Sequence, residues 1–313
     1  MKHLGFCTLI VLLFVSCAQK PPTSGRSEFP VIPEMNQKAM DYILAQKPAL
    51  IDVRSPFEFN LSHTPGAVNI QWTDFSRPGN SNKALLDDNL DSLARRLALV
   101  GVHPDRPVVI LGQALRGQGE EGRVAWVLRY LGVTQIYTLK YDQLRQLNPR
   151  DQGPVQNQPY WAPSVRHDLL MTREQFKQLE DFSGEQIIFS GSKARSKALG
   201  GVVKPPPQPR TFAGISLQDL RPRVIVLDVR LPQQIEQQSF VQKISPRFPV
   251  ISIYWQEFFT PEGFVKSSVR DLLVNKGLKS NSHLVVYSDN PLHSSAVTFA
   301  LTQQGLAASL LHP

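Results

Sequence analysis

Near its carboxyl end the chain runs Leu284-Val-Val-Tyr-Ser288-Asp-Asn-Pro-Leu-His293-Ser-Ser-Ala296. The four residues from Leu284 predict a short buried strand, and the polar residues after them predict a tight loop. Val297, Ala300 and Leu301 then recur at helical spacing, so we expect a helix to follow. This order is typical of a parallel α/β sheet, whose ligands bind at the loops that leave the carboxyl ends of the strands. The amide groups at the start of the helix favour an anion there.

Length and composition predict a globular protein of two domains. The chain has 313 residues, of which 42% are hydrophobic and 19% charged, so it is too apolar to be disordered and long enough for two units of about 150 residues. The formal charge is +8. A mildly basic surface suits anionic lipid headgroups or acidic partners, but a merely solvated surface explains it as well. Because the basic residues form no dense run, we predict no nucleic-acid partner.

Cysteine and histidine usage excludes several kinds of site. The cysteines are Cys7 and Cys17, so the chain after Cys17 can form no disulfide, no cysteine metal site and no cysteine nucleophile. The seven histidines are scattered without the spacing of metal ligands. The Gly-x-x-x-x-Gly pattern at Gly112 lacks the Lys and Ser or Thr of a phosphate-binding loop. We therefore predict no metal and no cofactor.

The start of the chain has the features of a secretory signal. A short basic region precedes about a dozen mostly apolar residues, fewer than the roughly 20 that span a bilayer. Phe14-Val-Ser-Cys17 then resembles the lipobox of bacterial lipoproteins, in which the chain is cleaved before a cysteine that receives lipid. An ordinary signal peptide followed by an incidental cysteine is the alternative.

These features predict a signal peptide at residues 1–16, lipidation at Cys17 and a polar tether at residues 17–30. The resemblance implies a secreted lipoprotein anchored in the membrane through Cys17. Ala18 favours the periplasmic face of the outer membrane if the source is Gram-negative.

Residues 31–150 predict a first α/β unit. Strands are expected at residues 49–54, 107–111 and 136–139, with a further strand after a turn at residues 62–66, and helices after Asn36 and at residues 88–99 and 123–131. Because strands alternate with helices, the sheet should be mainly parallel and flanked by helices.

Residues 214–313 repeat this pattern. Val224-Ile-Val-Leu-Asp228-Val-Arg230 repeats Ile51-Asp-Val-Arg54 at an offset of 176 residues, and Gly277 stands at the same offset from Gly101. The central strands of the two units also keep this offset. A constant spacing over several elements predicts a duplicated α/β domain.

Residues 151–213, between the copies, have a weaker pattern. A capping box at Thr172 and Gln175 predicts a short helix, residues 187–189 a strand, and residues 204–209 a stiff proline-rich linker. A structureless loop of this length would be unusual, so we expect part of this segment to pack on a domain.

These motifs resemble the rhodanese family in its tandem form, as in thiosulfate and mercaptopyruvate sulfurtransferases. The resemblance covers most of residues 31–145 and 215–313, and it is carried by Leu50-Ile-Asp-Val-Arg54, Glu58-Phe59, His63-x-Pro-Gly-Ala-Val-Asn-Ile70 and Gly122-Arg-Val-Ala-Trp-Val-Leu-Arg-Tyr-Leu-Gly132. It implies two rhodanese-like domains, each with a mainly parallel central sheet flanked by helices, of which the first is non-catalytic.

In that family the second half carries a catalytic cysteine in a loop resembling Cys-x-x-Gly-x-Arg. A thiolate at a helix start, surrounded by amides, has a lowered pKa and can carry a persulfide sulfur. Here Ser288, Pro291 and His293 stand at the cysteine, glycine and arginine positions. Gly112 is equivalent to Ser288 in the first copy, so neither copy has the cysteine. The degenerate loop consists of Ser288, Asp289, Asn290, Pro291, Leu292, His293 and Ser294.

Each replacement disfavours sulfur transfer. A serine hydroxyl is largely un-ionised at neutral pH and forms no stable persulfide, and Asp289 places negative charge where an anion would lie. Pro291 removes a backbone donor, and His293 is at most a partial cation near pH 7. The sequence therefore predicts a pseudo-enzyme, an inactive tandem rhodanese-like lipoprotein that binds or scaffolds in the cell envelope. Besides the membrane at Cys17, the candidate partners are an envelope protein or a small anion.

Two other functions stay open. The protein could be a sulfurtransferase-like, phosphatase-like or hydrolytic enzyme with a serine-based site, in which His293 activates Ser288; Ser288→Ala would then abolish its activity. It could instead be a small-anion sensor that uses the remaining amides of the loop, in which case sulfate or thiosulfate would raise its melting temperature.

Several charged and turn residues outside the loop are predicted to be structural. The two Asp-x-Arg pairs should form ion pairs at the strand ends, and the His-x-Pro-Gly residues should brace a turn. Trp161, between two prolines, is a candidate for a contact surface, although packing of the linker is the favoured explanation. The predicted structural residues are Asp52, Arg54, His63, Gly66, Asp228 and Arg230.

Overall fold

A computed structural model describes residues 37–77, 79, 85–144, 157–181, 211–231, 233 and 247–311. The predictions for the signal peptide, Cys17, the tether, the strand at 187–189 and the linker at 204–209 lie outside these residues. Within them, no helix has the length and apolar character needed to cross a membrane.

The first repeat contains a four-stranded parallel sheet. Its strands are β1 (Ala49–Asp52), β2 (Ala67–Asn69), β3 (Val108–Gly112) and β4 (Ile136–Lys140), in the order β2-β1-β3-β4. Strands β1 and β3 are fully buried, as expected for central strands covered on both faces. The carboxyl ends of β1 and β3 therefore lie side by side, with Asp52 next to Leu111.

The second repeat has the same strand order and one additional strand. Its strands are β5 (Leu170–Met171), β8 (Val224–Asp228), β9 (Val250–Ser252), β10 (His283–Tyr287) and β11 (Ala308–Leu311), in the order β5-β11-β10-β8-β9, all parallel. A separate antiparallel hairpin pairs β6 (Thr211–Phe212) with β7 (Ile215–Ser216). The prediction of two mainly parallel α/β sheets is confirmed. The edge strand β5 comes from the segment between the copies.

Helices flank both sheets. They are α1 (Gln37–Ala45), α2 (Pro56–Leu61), α3 (Leu90–Leu99), α4 (Glu120–Tyr130), α5 (Arg173–Asp181), α6 (Leu217–Leu220), α7 (Val269–Val274) and α8 (Pro291–Gln303). The capping box that predicts α5 is formed, because Thr172 N donates to Gln175 Oε1 at 2.8 Å and Gln175 N donates to Thr172 Oγ1 at 3.2 Å.

Two helix starts differ from the sequence-based prediction. Helix α3 begins at Leu90 rather than residue 88, because the Asn89 side chain accepts from Ser92 N at 3.0 Å and caps the helix there. Helix α4 begins at Glu120 rather than residue 123. Gly119 adopts a φ of +89°, which a glycine tolerates, and the helix starts directly after it.

The core is continuous across the two repeats where α4 crosses α8. Residues 121–130 of α4 and 292–303 of α8 are buried. Helices surrounded in this way have no polar face, which is why neither shows a clear amphipathic pattern. Small residues permit the close crossing, since a β-carbon added to Gly122 would lie 2.3 Å from that of Ala296. This contact places the loops that precede both helices beside the boundary between the repeats.

Candidate functional site

The degenerate loop of the second repeat is very short. Ser288 is buried directly after β10, and Asp289 and Asn290 separate it from the first residue of α8. The Asn290 amide N–H donates to Ser288 Oγ at 3.2 Å, and the Asn290 side chain accepts from Leu292 N at 3.0 Å. Pro291 contributes no N–H. Side chains of the loop thus satisfy two of the amides that an anion would need.

An acidic network surrounds this loop. Arg230 binds Asp228 through Nε–Oδ1 and Nη2–Oδ2 contacts of 2.8 and 2.7 Å, and its Nη1 lies 3.4 Å from Asp289 Oδ2. The Tyr287 hydroxyl donates to Asp289 Oδ1 at 2.5 Å. Burial and this hydrogen bond raise the pKa of Tyr287, and bonding to Asp228 raises the pKa of Arg230. The carboxylate of Asp289 is therefore fixed at the mouth of the loop.

His293 is held as a neutral ring rather than as a cation. It stacks on Trp255 with ring centroids 4.9 Å apart, and burial lowers its pKa to about 4. Its Nε2 lies 3.2 Å from Asn290 Nδ2. Because an amide nitrogen can only donate, Nε2 accepts, and the ring proton is on Nδ1, which has no hydrogen-bond partner among the described residues.

The structure does not bring Ser288 and His293 together as a catalytic pair. Ser288 Oγ is engaged by the Asn290 amide and His293 Nε2 by the Asn290 side chain, so Asn290 lies between them. A nucleophilic serine needs direct hydrogen bonding to its base. This geometry disfavours the serine-based alternative.

The equivalent loop of the first repeat is occupied by its own helix. Gly112 ends β3, and a β-carbon placed there would lie 2.3 Å from Oε2 of Glu121. Burial raises the pKa of Glu121 to about 8, against the lowering effect of the amides of Glu121 itself and Ala114. Glu120 accepts from Gln118 N at 2.8 Å. Two carboxyl groups of α4 therefore face the amides of this loop.

The predicted structural ion pair of the first repeat is present beside the loop. Arg54 binds Asp52 through Nε–Oδ1 and Nη2–Oδ2 contacts of 3.0 and 2.6 Å, and its Nη2 donates to the Ser62 carbonyl at 2.7 Å. The Arg54 guanidinium lies 3.7 Å from the centroid of the Tyr141 ring. Both ends of the pair are buried, as in the Asp228–Arg230 pair.

His63 and Gly66 lie in the turn before β2. His63 Nδ1 is 2.9 Å from the Phe59 carbonyl, and its ring stacks on Phe59 with centroids 4.2 Å apart. Gly66 has a φ of +76°. These contacts are local to the turn. In the described part of the chain, no three His, Cys, Asp or Glu side chains cluster as metal ligands would.

Sequence reasoning gave no role in these loops to Glu121 or to Trp255, on which His293 stacks. It named Glu58 and Asn290 as members of motifs but did not predict their contacts, in which Glu58 accepts from Gln113 of the first-repeat loop and Asn290 lies between Ser288 and His293. Asn290 had a signal, because an asparagine followed by proline is a common helix start. Trp161 is also placed: it is buried, and its Nε1 donates to the Val102 carbonyl at 3.1 Å, so it packs rather than presenting a surface.

The comparisons with known proteins agree with the family resemblance. The model of the rhodanese-like domain family matches residues 36–142. Those residues are a rhodanese-like domain. No curated protein matches the sequence.

Solved structures extend the rhodanese-like fold to both repeats. The 3-mercaptopyruvate sulfotransferase SseA from Escherichia coli is similar with a TM-score of 0.57 at 14% identity, covering 87% of this chain and 96% of that one. The Tum1 protein from Saccharomyces cerevisiae is similar with a TM-score of 0.56 at 11% identity, covering 90% and 93%. At such identities the likeness shows the fold alone.

A third similar structure is the anaerobic ergothioneine biosynthesis enzyme from Chlorobium limicola. Its TM-score is 0.55 at 13% identity, covering 90% of this chain and 62% of that one. This chain thus spans less than two thirds of that enzyme's length.

Proposed function

We propose that this protein is a catalytically inactive tandem rhodanese-like lipoprotein that serves as a binding or scaffold module in the cell envelope. The observation that carries the proposal is the chemistry at the two strand ends. Ser288 and Gly112 stand where the family resemblance places a cysteine, and the chain after Cys17 contains no thiol. Persulfide chemistry needs a thiolate, so neither repeat can carry the transferred sulfur on its own side chain.

The surroundings of both positions support the same conclusion. In the second repeat the side chains of Ser288 and Asn290 each accept from a loop amide, Asp289 adds a fixed carboxylate, and His293 is neutral near pH 7. In the first repeat Glu121 fills the space beside Gly112. A transferred or bound anion would meet negative charge or an occupied loop in either repeat, which also disfavours the small-anion sensor.

A sulfurtransferase assay on residues 18–313 tests whether the protein is catalytically inactive. Thiosulfate and 3-mercaptopyruvate would serve as sulfur donors and cyanide as acceptor, with an active tandem rhodanese as the positive control. We expect sulfur transfer to cyanide to be no faster with the wild-type protein than in a reaction without protein. The variant Ser288→Cys is assayed in parallel. Its sulfurtransferase activity should also remain low, because Asp289 and Pro291 are unchanged. Turnover by the wild type would refute the proposal, since sulfur would then move without a protein thiol.

The anchor is tested separately by metabolic labelling with an alkyne-tagged fatty acid. We expect the full-length chain to be labelled and Cys17→Ser to be unlabelled and released from the membrane fraction. Cys7→Ser is the matched control, because Cys7 lies within the predicted signal peptide and should be cleaved away. Equal labelling of wild type and Cys17→Ser would contradict the lipoprotein assignment.

A further inference from the structure

The first-repeat loop, residues 112–119, is arranged around a carboxyl group. Ala114 has a φ of +51°, which is unusual for a residue other than glycine, and its backbone amide has a lowering effect on the pKa of the Glu121 carboxyl group. The following helix, α4, has 11 residues. Its amino terminus adds the partial positive charge of the helix dipole.

The side chain inside this loop is buried and incompletely bonded. Glu121 is 5% exposed, and its Oε2 has no hydrogen-bond partner within the described residues. Gly112 leaves room for it, since any β-carbon there would overlap Oε2. A polar group in this position is unfavourable unless the loop supplies some of its hydrogen bonds.

We propose that the loop of the first repeat is a binding site for a small carboxylic acid, which the chain fills with its own Glu121. The site would take an external carboxyl group only when that side chain is displaced. The proposal concerns the first repeat and does not depend on whether the second repeat is active.

The ligand that fits is the uncharged acid rather than an anion. Glu121 is buried and its Oε2 has no donor among the described residues, so the loop accepts a neutral carboxyl group better than a carboxylate. In agreement with this geometry, burial raises the pKa of Glu121 to about 8. The charged or titratable groups on the elements beside it include Glu120, Arg123, Arg116, Glu58, His293 and Lys140, the last of which pairs with Gly112 across the sheet. Of these, Glu120 raises the pKa of Glu121 further by charge repulsion.

Chemical rescue tests the site. Glu121→Ala removes Cγ and the carboxyl group, which are the heavy atoms of acetic acid. We would measure thermal unfolding of this variant with sodium acetate, against sodium chloride at equal ionic strength. At ten times its dissociation constant, acetic acid should shift the unfolding equilibrium about 11-fold toward the folded state. We expect this at pH 5 and not at pH 8, where acetate is ionised.

Two controls separate the site from general salt effects. Glu121→Gln keeps the loop filled by an uncharged side chain and should not respond to acetate. Sulfate and thiosulfate stay charged and should not rescue Glu121→Ala. A folded Glu121→Ala that does not respond to acetate at pH 5, or responds equally to sulfate, would overturn the proposal. If this variant folds neither with nor without acetate while Glu121→Gln folds, that result also counts against an exchangeable site.

Discussion

Gly122 of the first repeat lies directly against Ala296 of the second, so close that a β-carbon on Gly122 would be 2.3 Å from that of Ala296. The two residues stand where α4 crosses α8, in a core shared by both sheets. Arg123 Nη1 donates to Ser295 Oγ at 3.2 Å across the same crossing. The two helices can therefore pack this closely because Gly122 has no β-carbon.

Gly122→Ala should destabilise the protein by about 1–3 kcal/mol through overpacking, although alanine favours a helix by up to about 1 kcal/mol. Ala296→Gly should also destabilise, because it weakens α8. The double variant moves the methyl group to the other helix. Its loss of unfolding free energy should be smaller than the sum of the losses in the two single variants by at least about 1 kcal/mol. Urea denaturation measures all three, and strictly additive losses would show that the two positions do not contact.

The buried carboxyl group of Glu121 predicts a stability that falls as pH rises. Its pKa is about 8 in the folded protein against 4.5 ordinarily, so between these values the unfolded chain has released the proton while the folded chain keeps it. Each increase of one pH unit in this interval lowers the free energy of unfolding by about 1.4 kcal/mol. Glu121→Gln removes this dependence and should stabilise the protein near pH 8 but hardly at pH 4.5.

Denaturation midpoints of wild type and Glu121→Gln at pH 4.5, 6 and 8 would measure this difference. Glu174→Gln controls for the loss of one negative charge in the first turn of a helix, because Glu174 is exposed and lies in α5, away from Glu121. A stability difference that is constant across the three pH values would show that Glu121 is not buried as a neutral acid.

The buried ring of His293 predicts the opposite pH dependence below pH 6.5, where stability should rise with pH. Its pKa is lowered from 6.5 to about 4, so between these values the unfolded chain binds a proton that the folded ring excludes, and stability is lost as pH falls. His293→Phe keeps a ring for stacking on Trp255 and should change stability by less than about 1.5 kcal/mol at pH 7.5. Relative to its effect at pH 7.5, the substitution should favour the folded state by about a further 2–3 kcal/mol at pH 4.5.

The matched variant is His63→Phe, which makes the same replacement at an exposed ring that stacks on Phe59. Guanidinium denaturation at the two pH values gives the comparison. If His293→Phe and His63→Phe changed the acid sensitivity equally, the effect would not come from the burial of His293.

The sequence predicted the elements whose signals are local. Apolar runs marked β1, β3, β8 and β10, and the Thr172–Gln175 capping box marked α5. The repeat offset placed Ser288 and Gly112 at equivalent strand ends. All of these depend on residues close together in the chain or on a fixed spacing.

What escaped prediction depends on contacts between distant residues. A glutamate in the first turn of a helix is ordinary, and the burial of Glu121 follows from Gly112 nine positions earlier and from the packing of α8. For Trp161 the sequence favoured packing of the linker over a contact surface but could not name the partner, which is the Val102 carbonyl. The helix predicted at residues 123–131 starts too late, because a glycine is not a typical helix residue and Gly122 nevertheless lies inside α4.

Disrupting the two Asp-x-Arg pairs should destabilise the protein to different extents. Arg230→Met leaves Asp228 buried without its cation and also removes a partner of Asp289, so we expect a loss of about 3–5 kcal/mol. Arg54→Met also leaves a buried aspartate, Asp52, without its cation and removes the bond to the Ser62 carbonyl, but it affects no second carboxylate, so it should destabilise the protein less. Adding Asp289→Asn to Arg230→Met should recover part of the loss, whereas Asp289→Asn alone should have a small effect, because that carboxylate is half exposed.

Equilibrium unfolding in urea of these four variants separates the two contributions. Recovery in the double variant would show that Arg230 holds the loop carboxylate in place, which fits a residue that fixes the degenerate loop as well as the strand end. Equal losses for Arg230→Met and Arg54→Met, with no recovery from Asp289→Asn, would instead mean that Asp289 adds nothing to the pair. The carboxylate at the mouth of the second-repeat loop would then be free to move away from an incoming anion.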